Sequence, residues 1–141
     1  MGSNRKKIVY SYVVADLLHV GHLHFLEKAK KEGDYLIVGV LTDEATMEKK
    51  LKPIISFSER WALINALACV DEAIAQETYS PLANVNAIKP GILIESDSHQ
   101  EQPANEFVES YCGKVVVLPY FDDQSSTKIK QKIYENKRKG S

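Results

Sequence analysis

The sequence predicts an α/β fold, a parallel five-stranded sheet with helices on both faces. Short β-branched and apolar runs alternate along the chain with segments whose apolar residues recur at helical spacing. Gly, Pro-Gly and Ser-Pro breaks fall between the two kinds of segment. The 141 residues, 44% of them hydrophobic, fit one domain with an ordinary core. That domain is read over 1–141, with 1–6 and 136–141 as tails.

The first strand is expected over about 7–14, where Ile8-Val9-Tyr10-Ser11-Tyr12-Val13-Val14 is β-branched and aromatic. A helix follows at 22–32, with Leu23, Leu26 and Ala29 on one face and Gly33 as its stop. Tyr35 to Leu41 form the second strand. The polar stretch 42–53, with Lys49, Lys50 and Lys52 ahead of Pro53, reads as a short helix and a mobile loop. Ser56 and Glu59 match a capping box opening a helix through Trp61, Ile64, Leu67 and Ala68. Trp61 is expected in the core. A short strand is expected near 72–75, then a helix from Ser80-Pro81, Pro suiting its first position. Pro90-Gly91 ends it and leads into strand 92–94. A helix near 102–112 ends at Gly113, residues 115–118 form the last strand, and Ser125-Ser126-Thr127 opens a C-terminal helix.

Charge and composition exclude several function classes. With 18 basic and 19 acidic residues the net charge is −1, so no positive field is available for nucleic acid. No apolar run approaches the ~18 residues of a membrane span and no signal peptide is visible, so a cytoplasmic location is expected. Cys69 and Cys112 lie far apart in apolar helical patterns, which predicts buried free thiols rather than a disulfide.

His19-Val20-Gly21-His22 stands where the first strand gives way to its helix. Free N–H groups and the helix dipole make that junction an anion site. Two imidazoles flanking a Gly there point to phosphate chemistry, with Gly21 allowing close backbone approach. If the imidazoles act as charged or acidic groups, activity should vary between about pH 5 and 8. A metal site built from His19, His22 and His24 is the weaker reading, since no cysteine or carboxylate cluster completes it and His24 lies off the face of His22. Ser125, Ser126 and Thr127, with Lys128, form a second phosphate-holding candidate. Lys52 sits on the flexible segment. Arg60 lies in a first helical turn, where cations are disfavoured, which hints at an external anion or a surface salt bridge. Asp16 and Asp97 end strands at the edge where such sheets bind ligands, or cap turns there.

Taken together, several stretches resemble the cytidylyltransferase-like family of nucleotidyltransferases. They are Asp16-Leu17-Leu18-His19-Val20-Gly21-His22, Gly33-Asp34-Tyr35-Leu36, Thr42-Asp43-Glu44, Ser58-Glu59-Arg60, Val70-Asp71-Glu72 and Ser125-Ser126-Thr127-Lys128-Ile129. The pattern is similar to the glycerol-3-phosphate cytidylyltransferase branch, and adenylyltransferases for heptose phosphate and FMN also look similar. The resemblance implies a small Rossmann-like sheet and a transfer of CMP or AMP from CTP or ATP to a phosphorylated small molecule, releasing pyrophosphate. It implies His19, His22 and Lys52 as catalytic residues. It implies Val14, Ala15, Gly21, Arg60, Asp97, Tyr120, Ser125, Ser126 and Thr127 at the nucleotide, and Asp16 and Asp43 at the acceptor. Mg²⁺ would ride on the phosphates, with no metal ligands of its own in the chain, and a homodimer is expected. The chain departs from the family where Val13-Val14-Ala15 replaces Gly-Thr-Phe, where Glu95 replaces a Gly, and where Tyr120 replaces an Arg. Those departures motivate the alternative of a non-catalytic nucleotide-binding or regulatory domain.

Overall fold

The computed structural model describes residues 6–97 and 102–119. Five parallel strands form one sheet in the order β3-β2-β1-β4-β5. They are β1 (Ile8–Val13), β2 (Tyr35–Leu41), β3 (Glu72–Gln76), β4 (Ile92–Ser96) and β5 (Lys114–Leu118). The helices are α1 (Val20–Lys30), α2 (Asp43–Met47), α3 (Phe57–Asn65), α4 (Leu82–Ile88) and α5 (Gln102–Ser110). The expected fold class and the order of elements are therefore those observed. Tyr120, Ser125, Ser126 and Thr127, and the helix expected there, lie outside the described residues.

The period-two alternation of the strands divides the core into two layers. Val9 and Val13 of β1 and Leu36, Val38 and Val40 of β2 meet Phe25, Leu26 and Ala29 of α1 and Ile64 of α3 on one face. Tyr10, Ile37 and Leu93 meet Val85 of α4 and Ala104 and Val108 of α5 on the other. Burial on both faces is why the central strands read as nearly continuous apolar runs.

β1 runs in register with β2 from Ile8↔Tyr35 to Val13↔Val40. With β4 it pairs only at Val9↔Ile92 and Tyr10↔Leu93. Beyond those two rungs β1 and β4 part, at the point where the chain turns to opposite sides of β1. A topological switch point of this kind opens a crevice at the carboxyl ends of the strands. The half-buried Tyr12 bridges it, donating its hydroxyl to Glu95 Oε2 at 2.5 Å.

Several local expectations are corrected. Gly33 does not stop α1 by a left-handed turn, because no glycine has positive φ among the described residues. Its need is space: a Cβ there would press on Val9 Cγ2 and the Lys7 carbonyl. The left-handed residue before β5 is Cys112 (φ 68°), and Gly113 is there because a Cβ would meet Val108. α3 ends at Asn65, short of Ala68. Pro81 takes the N-cap of α4 rather than its first helical position, and Ser80 Oγ accepts the Leu82 N–H. Cys69 is half-buried and Cys112 exposed, both free and both in turns. Trp61 is 37% exposed, with its indole N–H donated to the Ala73 carbonyl at 2.7 Å.

Gly39 has the tightest packing constraint in the sheet. A Cβ there would fall on the Tyr10 hydroxyl, which donates to Gln76 Oε1 at 2.5 Å and accepts from Asn84 Nδ2 at 2.9 Å. Gly39→Ala should cost about 3 kcal/mol by overpacking and loss of that bond. The thermal midpoint should fall by about 10 °C for a domain of this size. In a Tyr10→Phe background, which removes the obstructing oxygen, the same substitution should cost less than about half as much; equal costs in the two backgrounds would refute the steric account.

Candidate functional site

The histidines sit at the mouth of the crevice because α1 is capped by its own motif. His19 is the N-cap, in extended backbone (φ −145°, ψ 178°), and its Nδ1 accepts the Gly21 N–H at 3.0 Å. His22 completes the box, its Nδ1 accepting the His19 N–H at 3.2 Å. Imidazoles here do what Ser/Thr and Glu do in an ordinary capping box. The consequence is chemical. A nitrogen that accepts a backbone N–H carries no proton, so both neutral rings hold theirs on Nε2. The ring centroids are 4.2 Å apart.

Burial keeps these rings neutral. Desolvation, together with the neighbouring His19, pushes His22 down to about 3 against a smaller opposing pull from Asp16. Desolvation lowers His19 as well. Of the charged and neutral forms left open by the sequence, the cap geometry and burial favour neutral rings with the proton on Nε2. His19 Nε2 is buried and has no hydrogen-bond partner among the described residues. A buried donor left unmade costs about 1–3 kcal/mol, so this atom calls for an acceptor. The first turn of α1 holds no acidic residue, which leaves its dipole unopposed there.

Around the histidines, polar groups bind the loops at the carboxyl edge to each other. Arg60 is wholly buried. Its Nε donates to the Ile55 carbonyl (3.0 Å), its Nη1 to the carbonyls of Val14 and Leu41 (2.7 Å each), and its Nη2 to Asp43 Oδ1 (2.7 Å). Arg60 is therefore not placed to hold an external anion; its guanidinium is spent on the ends of β1 and β2, the loop before α3 and the start of α2. Asp43 serves as its counter-ion rather than as an acceptor contact. Asp16, 2% exposed, likewise turns inward, accepting the N–H groups of Ile54 and Ile55 at 2.9 Å each.

The remaining expected residues divide. Val14 packs its side chain on Leu41, Ala45 and Tyr79 and gives its carbonyl to Arg60, while Ala15 is buried in the α1-side core. Ala15 and Leu17 both have left-handed backbone, φ 59° and 55°. The Gly21 N–H is committed to His19. Lys52 is exposed in the segment between α2 and α3. Asp97 is exposed at the end of β4, its N–H bonded to the Leu118 carbonyl. Among the described residues no three His, Cys, Asp or Glu side chains group as a metal site. Sequence reasoning missed Tyr12 as the partner of Glu95. Alternation along β1 was the available signal, since Tyr12 and Tyr10 share a face.

The chain is similar to known proteins over most of its length. A family described as cytidylyltransferase-like matches residues 14–132. The "Bifunctional protein HldE" of Geobacter metallireducens is 35% identical over 91% of this chain and 27% of its own length. That of Alcanivorax borkumensis is 35% identical over 92% of this chain and 28% of its own. The chain thus spans little more than a quarter of these relatives. A lipopolysaccharide core biosynthesis protein from Thermoplasma volcanium superposes with a TM-score of 0.71 at 28% identity, covering 83% of this chain and 98% of that one. A pantoate-beta-alanine ligase from Francisella tularensis shares the fold alone, at TM-score 0.58 and 19% identity over 94% of this chain and 71% of its own.

Two outcomes follow from the geometry. Arg60→Lys keeps the charge but loses the fork that reaches three carbonyls and a carboxylate. Its cost should be about 3 kcal/mol or more in urea unfolding, and a cost under 1 would refute the clasp. The histidines, depressed in the folded state, take up protons on unfolding. The contribution of His22 is therefore complete above the unfolded value near 6.5 and is lost as pH falls from there toward 3, and that of His19 is lost in the same direction. Stability should fall by up to about 1.4 kcal/mol per pH unit on account of His22 between pH 6.5 and 4.5, above the range where carboxylates titrate. His22→Gln should flatten that slope; an unchanged slope would refute the assignment.

Proposed function

We propose a reaction from one premise, that this chain belongs to the cytidylyltransferase-like family of nucleotidyltransferases. The donor is ATP and the acceptor a heptose phosphate. The resemblance to adenylyltransferases for heptose phosphate, relatives named HldE and a structural neighbour named for lipopolysaccharide core biosynthesis support this choice over CTP and glycerol phosphate. The observation that carries the reading is the buried His19 Nε2–H at an acid-free helix N-terminus, a donor awaiting a phosphate oxygen.

An oxygen of the acceptor phosphate attacks the α-phosphorus of the nucleotide. The bond from that phosphorus to the bridging oxygen breaks, and its electron pair leaves with pyrophosphate. No covalent enzyme intermediate is needed, so the protein acts by positioning and charge stabilisation. His19 and His22 donate from Nε2 to phosphate oxygens as negative charge grows on the bridge. Being neutral, they gain strength from the dry site without having to be ionised first. Lys52 supplies a mobile positive charge to the phosphates from the segment between α2 and α3. Asp97 lies at the crevice edge for the nucleoside, while Val14 and Ala15 offer backbone only.

When bound, Mg²⁺ would supply charge neutralisation on the phosphates. The chain's donor set fits that role, because Asp16 and Asp43 are committed elsewhere and no described cluster forms a cage. The ion would be held by the nucleotide.

Pyrophosphate release tests the assignment, with ATP or CTP offered against heptose phosphate, glycerol 3-phosphate and FMN. Turnover is expected with ATP and heptose phosphate, and His19→Ala should lower kcat/KM by about 10²–10³-fold, the scale for one transition-state donor. Turnover with another pair alone would overturn the substrate assignment. Nucleotide binding without turnover on any pair would establish the non-catalytic alternative.

A further inference from the structure

We infer that Asp16 is a positioning residue that sets the reach of Lys52, an inference that rests on the nucleotidyl-transfer reading above. The segment from Glu48 to Ile55 leaves α2 and returns to α3 across the carboxyl edge of the sheet. Its first end is fixed: Glu48 Oε2 accepts the Tyr79 N–H at 3.1 Å, the Lys49 and Lys50 N–H groups bond to the Thr46 carbonyl, and Lys49 lies over the Tyr79 ring. Its second end is fixed by one carboxylate. Asp16 takes the two consecutive N–H groups of Ile54 and Ile55, and Arg60 takes the carbonyl of Ile55. Between the two anchors Leu51 is 88% exposed and Lys52 is exposed beside it, while Pro53 is buried.

Asp16 is three residues before His19, in the loop that the capping box ends. It thereby joins the histidine loop directly to the backbone two residues past Lys52. No other described side chain accepts from both Ile54 and Ile55. The carboxylate does not hold the acceptor; it holds the segment that carries the cation. A charge-assisted bond to two adjacent N–H groups fixes both position and orientation of that backbone, because both carboxylate oxygens are used. Pro53, with its restricted φ, passes the constraint on to Lys52.

The test is a double-mutant cycle on ATP binding with the full chain, reading ATP affinity by calorimetry in wild type, Asp16→Asn, Lys52→Gln and the double variant. Lys52→Gln should weaken ATP by about tenfold, the loss of one charge-assisted bond. Asp16→Asn should weaken it several-fold, and that loss should vanish once Lys52 is Gln. Trypsin should also cut between Lys50 and Leu51, where the span between the two anchors begins, faster in Asp16→Asn than in wild type at equal thermal midpoint. Should the variant be too unstable to compare, Asp16→Glu, which keeps the charge and shifts its reach, replaces it under the same reading. Additive losses in the cycle, or unchanged cleavage, overturn the inference while leaving the nucleotidyltransferase reading intact. Failure of wild type to bind ATP overturns the reading beneath both.

Discussion

The carboxyl edge of this sheet depends on the burial of one guanidinium. The ends of parallel strands leave carbonyl oxygens without ladder partners, and a loop-rich edge multiplies them. Arg60 answers three such acceptors from the third helix, where its planar fork reaches the ends of β1 and β2 and the entry to α3, and it pairs with the carboxylate of Asp43 as well. A buried cation is costly unless each donor is matched, and here the match draws three separate loops into one rigid unit. Without it, the histidine loop, the Lys52 segment and α2 would each have to find their own anchorage. Asp16 repeats the device with opposite charge, taking N–H groups where Arg60 takes carbonyls. The site is thus held from beneath by charged residues that do not face the crevice.

That scaffold explains how the histidines can be neutral and still suited to phosphate. Their Nδ1 atoms close the helix N-terminus on itself, which fixes each ring and puts its proton on Nε2, and the buried His19 Nε2–H has no partner among the described residues. The helix supplies the field, the rings supply directed bonds, and positive charge is left to the exposed lysine. Separating these functions matters energetically. A buried imidazolium would have to be desolvated at each turnover, whereas a neutral ring already lies at its preferred protonation state throughout the neutral range.

The fold was legible because the strands are buried on both faces and their β-branched runs leave little ambiguity, as in Ile37 to Leu41. The histidine pair was legible because the motif is local: strand, loop, cap and helix follow one another in sequence. What was not legible was side-chain direction across long sequence separations. Arg60 looks like an anion ligand when judged by its helix position alone, since nothing nearby in sequence discloses carbonyls 19 and 46 residues away. Asp16 reads as a ligand for the same reason, its partners lying 38 and 39 residues on. Glycine was misread in the other direction. Gly33 and Gly113 sit at helix ends, yet their backbones are ordinary and it is neighbouring side chains that exclude a Cβ.

The replacement of Gly-Thr-Phe by Val13-Val14-Ala15 has a structural meaning once the loop is seen. Ala15 and Leu17 both adopt the left-handed region, each at a cost of about 1–2 kcal/mol for a residue with a Cβ. They flank Asp16. Strain at two positions around one buried carboxylate persists only where the surroundings over-determine the path, and here both ends are determined. Val14 is held by Arg60 through its carbonyl and by Leu41, Ala45 and Tyr79 through its side chain, while His19 is held by the helix cap. The chain must turn between those fixed points and deliver Asp16 to Ile54 and Ile55. Alanine at 15 tolerates the left-handed turn better than a β-branched residue would, and its methyl fills core space rather than the crevice. Val13, at the position of the glycine, lies in β1 with its side chain in the α1-side core, and Val14 packs on Leu41, Ala45 and Tyr79, so the loop that carries the histidines is shaped at 15 and 17 rather than at 13.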